Sequence, residues 1–93
     1  MYIHLGQDTV VRASTVIGIF DTDNATLSRH TRDYLHRQET RGQVVSITYE
    51  LPKSFVVCVE NGHETVYLSQ LSAATLRKRI TQQANNGRER SSL

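Results

Sequence analysis

The dipeptide Asn61-Gly62 constrains the fold of this chain more than any other feature. Both positions accept positive φ, so the pair favours a tight turn whose twist matches two antiparallel strands. Before it stands Phe55-Val56-Val57-Cys58-Val59, apolar on both faces of a pleated strand, and after it Thr65-Val66-Tyr67-Leu68 returns as a partner strand. The pattern predicts a hairpin whose first strand is central in a sheet.

The other segments extend this reading. Ile3 and Leu5 alternate with Tyr2 and His4, and Gly6-Gln7-Asp8 supplies a turn before Thr9-Val10-Val11, which predicts a small N-terminal hairpin. Thr15 to Phe20 is apolar on both faces, predicting a strand buried from two sides, with Gly18 marking a bulge or a close backbone approach. Asp21 to Asn24 offers N-caps for a polar helix running to about Arg41, where Gly42 can end it in a left-handed conformation. Its apolar stripe is thin, with Leu27, Tyr34 and Leu35 as anchors. Val45, Ile47 and Tyr49 alternate as a further strand before a Leu51-Pro52-Lys53 turn. Ser72 can N-cap a last helix, with Ala73, Leu76 and Ile80 on one face and Arg77, Lys78 and Arg79 around the others. Asn85-Asn86-Gly87 is a helix-breaking signal, and residues 82–93 carry too little apolar surface to order, so they read as a disordered basic tail.

The expected fold is α+β: a small, mostly antiparallel sheet with two helices, in one domain spanning residues 1–81. A chain of 93 residues has no room for a second core, and 38% hydrophobic residues without Trp build only a modest one. Folds of this size often bury further surface by self-association. The strands with two apolar faces mark candidate interface residues: Val16, Ile17, Ile19 and Phe20 on one, Phe55, Val57 and Val59 on the other. A homo-oligomer is expected.

Catalytic and metal signals are poor. Cys58 is the single cysteine and lies in an apolar run, so no intrachain disulfide forms and a buried structural thiol is expected. His30 and His36 do not have the i, i+4 spacing of a common metal pair, and neither His4 nor His63 has ligand-rich neighbours. No nucleophile elbow, phosphate loop or Cys-His signature is present. The chain reads as a non-enzyme without cofactor or metal. It has no run near the roughly 18 apolar residues of a membrane span and no basic-then-apolar leader, so it reads as a cytoplasmic protein with no membrane partner.

The net charge of +2 conceals segregation. Residues 1–23 set Arg12 against Asp8, Asp21 and Asp23, and residues 42–70 set Lys53 against Glu50, Glu60 and Glu64. The cations concentrate in the helical segments, with Arg29, Arg32, Arg37 and Arg41 in one and Arg77, Lys78 and Arg79 in the other. Such segregation can create a face that attracts polyanions. Solvation, and complementing the dipole at a helix end, are the competing readings.

Four segments in this order and spacing resemble the bacterial extracellular matrix regulatory proteins, specifically the RemB branch: Met1-Tyr-Ile-His-Leu-Gly6, Val16-Ile-Gly-Ile-Phe-Asp21, Pro52-Lys-Ser-Phe-Val-Val-Cys-Val59 and Tyr67 to Arg79. The resemblance spans about residues 1 to 80. It implies the small α+β fold of the paralogous RemA branch, which is similar to LytTR-type DNA-binding domains and assembles as a ring-shaped homo-oligomer. It also implies transcriptional control of extracellular matrix (biofilm) genes through double-stranded DNA. That branch carries an adjacent arginine pair after its Thr-Tyr strand, where this chain has Glu50-Leu51-Pro52-Lys53, and a further basic position corresponding to Thr15, near Arg12.

Two functions follow as alternatives. In the first, an oligomeric regulator binds DNA through repeated phosphate contacts from Lys53, Arg12, Arg29, Arg32, Arg77, Lys78 and Arg79. In the second, a protein-interaction module of the same fold assembles with itself or a paralogous regulator without touching DNA; Thr15 and Leu51-Pro52 favour it.

Overall fold

The computed structural model describes residues 1–25, 28–48 and 50–91. Leu27, Tyr49 and Leu93 lie outside them, as do the side chains of Arg88 and Arg90. Strand β1 (Tyr2–Gly6) pairs with β2 (Thr9–Arg12) as the expected hairpin, with Gly6 and Gln7 at φ 123° and 47°. A short 3₁₀ turn leads to β3 (Val16–Asp21), followed by α1 (Thr22–Ala25), α2 (Arg29–Thr40), β4 (Val44–Ser46), β5 (Ser54–Glu60), β6 (His63–Ser69) and α3 (Ala73–Ser91).

The main sheet has the order β3-β5-β6-β4. The β5–β6 hairpin forms its centre, and Asn61 and Gly62 take φ of 52° and 80° at its turn. The pair β3–β5 is also antiparallel, whereas β4 runs parallel to β6, so the sheet is mixed. Two cores lie on its opposite sides. On one side α3 and the β1–β2 hairpin bury Ile3, Leu5, Val56, Cys58, Ala73 and Leu76. On the other, Phe55, Val57 and Val66 are buried, with Tyr34 and Leu35 of α2 packed against them. The α+β expectation is met.

Local chemistry explains the boundaries. Ser72 Oγ accepts from Thr75 N at 3.1 Å, the N-cap bond the sequence predicts for α3. Gly42, at φ 71°, ends α2 by donating to Glu39 O at 3.0 Å while Gln43 N reaches Gln38 O at 2.9 Å. Gly18 lies at the register shift of β3, and a Cβ there would stand 2.4 Å from Cε2 of Phe20, whose ring folds over it. Bulge and close approach both occur.

Three expectations are corrected. The helix predicted from the Asp21–Asn24 caps to Arg41 is two helices, because Ser28 is extended (ψ 130°) and α2 starts at Arg29. β3 is an edge strand, not doubly buried: Ile17 and Phe20 are 64% and 43% exposed. The strand through Val45, Ile47 and Tyr49 is shorter, since β4 ends at Ser46; Val45 is exposed and Ile47 buried, so these two do not share one environment. The pairing is otherwise mostly antiparallel, as expected, with β4 parallel to β6 because helices connect β3 to it and the chain returns in the same direction. Past Ile80, α3 continues as backbone helix to Ser91. The Thr81-Gln-Gln-Ala84 run has no Pro or Gly, and backbone helix bonding carries across Gly87.

Candidate nucleic-acid interface

The seven candidate cations do not form one patch. Arg29 and Arg32 are exposed on α2, and α2 packs on the opposite side of the sheet from α3. Arg29 also stands 4.0 Å from Asp33 one helical turn away. Arg12 is exposed on the hairpin, with Glu60 at 3.9 Å; both side chains are solvated, so the pair holds Arg12 weakly.

The α3 cations divide by role. Arg77 donates from Nη2 to the carbonyl of Ile19 at 2.6 Å, and Arg79 from Nη1 to the carbonyl of His4 at 3.0 Å. Each ties α3 to a strand on the face it packs against. The side chain of Lys78, between them, is exposed and has no hydrogen bond or ion pair among the described residues. A guanidinium has five N–H donors, so Arg77 keeps capacity for a second acceptor.

Lys53 has the best-fixed base. Its amide donates to Ser69 O at 2.9 Å, and its carbonyl accepts from Thr22 N at 3.1 Å, while the residue itself is exposed. The neighbouring Pro52 carbonyl accepts from Thr22 Oγ1 at 2.8 Å. Three bonds therefore hold a turn that presents an ammonium to solvent. In the β3–β5 register Ile19 faces Val56 and Asp21 faces Ser54, so Lys53 and the Arg77 anchor are about 10 Å apart along the ladder. Lys53 and the Arg77 anchor thus lie on either side of Asp21 along the β3–β5 ladder. Leu51, two residues before Lys53, is 91% exposed, and Glu50 beside it is exposed too.

The candidate interface residues also divide. Ile19, Phe55 and Val57 belong to the chain's own cores at 9%, 3% and 5% exposure and have no area left for a partner. Val16 and Val59 are half-buried. Ile17 and Phe20 remain outward, with Phe20 stacked on Phe55 at 5.0 Å between ring centroids.

Sequence reasoning missed a polar clamp between α2 and β6. Tyr34 Oη and Gln38 Nε2 both donate to Glu64 Oε2, and Gln38 is buried. Gln38 follows Tyr34 by four and Leu35 by three, so helical spacing placed it on the buried face; its polarity hid it. Burial, and then the bond to Glu64, pushes the Tyr34 phenol above its ordinary pKa. Burial also raises the Cys58 thiol, partly opposed by a bond with Thr15, which keeps it in its unreactive form.

Among the described residues, no group of His, Cys, Asp or Glu is placed to hold a metal ion, and no helix is long and apolar enough to cross a membrane. The class defined here is a small α+β domain with exposed charged and apolar surface. The chain belongs to the extracellular matrix regulatory protein family: the RemA-like family, described as extracellular matrix regulatory protein A-like, matches residues 2–80. It is 43% identical over 79 residues, 85% of this chain and 89% of the relative, to Extracellular matrix regulatory protein B of Bacillus subtilis (strain 168).

Proposed function

We propose that the chain is an oligomeric regulator that acts in the cytoplasm on extracellular matrix (biofilm) genes by binding double-stranded DNA through multivalent phosphate contacts. Kinship over most of the chain with a protein named for matrix regulation carries the regulatory part. The anchored Lys53 turn supports the DNA part, because a fixed backbone lets a solvated ammonium meet a phosphate with little ordering cost. Arg77, anchored on the adjoining strand, and the exposed Lys78 of α3 are further candidate contacts. One subunit offers few such contacts, so affinity rests on repetition along the duplex. The test is a titration of labelled duplex at two salt concentrations: binding that falls steeply with salt supports the reading, and its absence at low ionic strength removes DNA as the partner.

A second reading has its own observation. Leu51 is 91% exposed in the turn where the resemblance to the RemA branch implies an arginine pair, and an exposed leucine suits protein contact better than phosphate contact. On this reading the chain is an interaction module that assembles with itself or a paralogous regulator.

A further inference from the structure

The main sheet ends at β4, and the backbone edge it leaves open lies in a groove. Gln43 O accepts from Val66 N and Ile47 N donates to Leu68 O, so these residues, and Val45 between them, turn their backbone groups toward β6. In a parallel ladder the alternate residues turn the other way. The amides and carbonyls of Val44 and Ser46 therefore point off the open edge, where no strand follows among the described residues. Val44 and Ser46 also line a groove of about 720 Å³, whose apolar lining comes from Leu35, Leu68, Leu51 and Pro52. Its charged side chains are Asp23 and Glu39, both acidic and neither in an ion pair among the described residues. Arg37 and Arg41 stand two positions either side of Glu39 and so on other faces of the helix end, while Glu50 and Lys53 flank the Leu51-Pro52 turn and offset each other. The groove is net negative.

We infer that this groove binds an extended basic segment of a partner protein, which adds to the sheet as a strand beside β4. Three features choose that occupant. Open donors and acceptors on Val44 and Ser46 suit another extended backbone, whereas a helix, whose own backbone groups are bonded internally, cannot use them. The apolar lining suits a strand, since every second side chain enters the groove while the others face solvent on the side of Val45, itself 41% exposed. Two carboxylates without ion pairs select lysine or arginine on the entering side and disfavour an acidic segment. The same carboxylates repel phosphate, so the groove is separate from any DNA contact and the inference stands independently of that reading. An edge of three residues offers about four outward backbone groups, which suits a reversible contact.

Amide spectra of the isotope-labelled full chain test the docking with three capped pentapeptides: KTVTK, whose two lysines flank a valine on one side of a strand, its acidic counterpart ETVTE, and KTVTK with every backbone amide N-methylated. KTVTK should shift the Val44 and Ser46 amides saturably and slow their hydrogen exchange. ETVTE should bind about threefold or more weakly, and the N-methylated peptide, which has no amide donors, about tenfold more weakly. Glu39 is exposed, so Glu39→Lys should keep the wild-type melting transition while abolishing the preference for KTVTK over ETVTE. Absence of a β4 shift at millimolar KTVTK, equal binding of the basic and acidic peptides, or full affinity of the N-methylated one overturns the inference. So do Val44 and Ser46 amides that are already protected in the free chain and lose protection on dilution, which would give the groove to a second copy. None of these outcomes bears on the salt-dependent DNA titration.

Discussion

Arg77 and Ile19, 58 residues apart in sequence, are joined by a 2.6 Å hydrogen bond from guanidinium to backbone carbonyl. Because β3 is an edge strand, that carbonyl has no strand on its outer side, and α3 supplies the donor. The cluster Arg77-Lys78-Arg79 is therefore not three equivalent cations. Arg77→Ala should lower stability by about 1 kcal/mol, whereas Lys78→Ala should stay within about 0.5 kcal/mol of wild type. Chemical denaturation followed by circular dichroism compares them, and equal losses would remove the distinction.

The ring of Phe20 occupies the space that a side chain at position 18 would take. Gly18→Ala forces that ring away, since the new Cβ would stand 2.4 Å from Cε2 and 2.6 Å from Cζ. Phe20 is partly exposed and can swing out, so the fold should survive but lose the stack on Phe55, at a cost of about 1 kcal/mol. A melting temperature equal to wild type would show that the ring does not lie there in solution.

The Tyr34–Glu64 contact gives a pH signature. A phenol whose folded pKa is raised stabilises the fold fully below its unfolded pKa of about 10, and that contribution disappears as pH rises through the higher folded value. Stability should thus hold to about pH 9 and decline above about pH 10. Tyr67 is raised as well, chiefly by burial, and acts in the same direction. Tyr34→Phe isolates the first contribution: the variant should be less stable at neutral pH and show a shallower alkaline decline, and an identical alkaline profile would exclude Tyr34 as its source.

Features set by local chemistry were legible in the sequence. Asn61-Gly62, Gly42 and Ser72 act within a few residues of themselves, and each does what its side chain or its lack of one dictates. The apolar faces of Ile3, Leu5, Ala73 and Leu76 followed from periodicity. What depended on distant partners was not legible. Two apolar faces on Val16–Phe20 gave no sign that β3 lies at an edge, nor did the spacing of Val45 and Ile47 show that β4 pairs in parallel. The roles of Arg77, Arg79 and Gln38 were equally hidden, because each is defined by a carbonyl or carboxylate on another element.

The distal part of α3 is separable from the fold by the same logic. Ala73, Leu76 and Ile80 attach the helix to the hairpin and sheet, all before Thr81. Truncation after Gln83 should leave the thermal transition unchanged within about 2 °C, because residues 84–93 carry only Ala84 and Leu93 as apolar side chains. A larger loss in calorimetry would mean that residues 84–93 dock on the domain. Loss of DNA affinity alone would assign Arg88 and Arg90 to the nucleic acid.

Lys53 provides the sharpest test of DNA binding, because its turn is held by backbone bonds that the side chain does not make. Lys53→Ala removes a charge and leaves the bonds to Ser69 and Thr22 intact, so oligomer mass and stability should be unchanged. If the ammonium meets a phosphate, affinity should fall at every sequence tested, since such a contact positions the protein without reading bases. The log–log salt slope should shrink by about 0.9 for each subunit that touches the duplex. Lys78→Ala is the proper comparison on α3, because changes at Arg77 and Arg79 also release strands. A loss of slope in Lys78→Ala with none in Lys53→Ala would move the contact to the helix. Unchanged slopes in both would exclude Lys53 and Lys78 from the interface and turn attention to Arg12 on the hairpin.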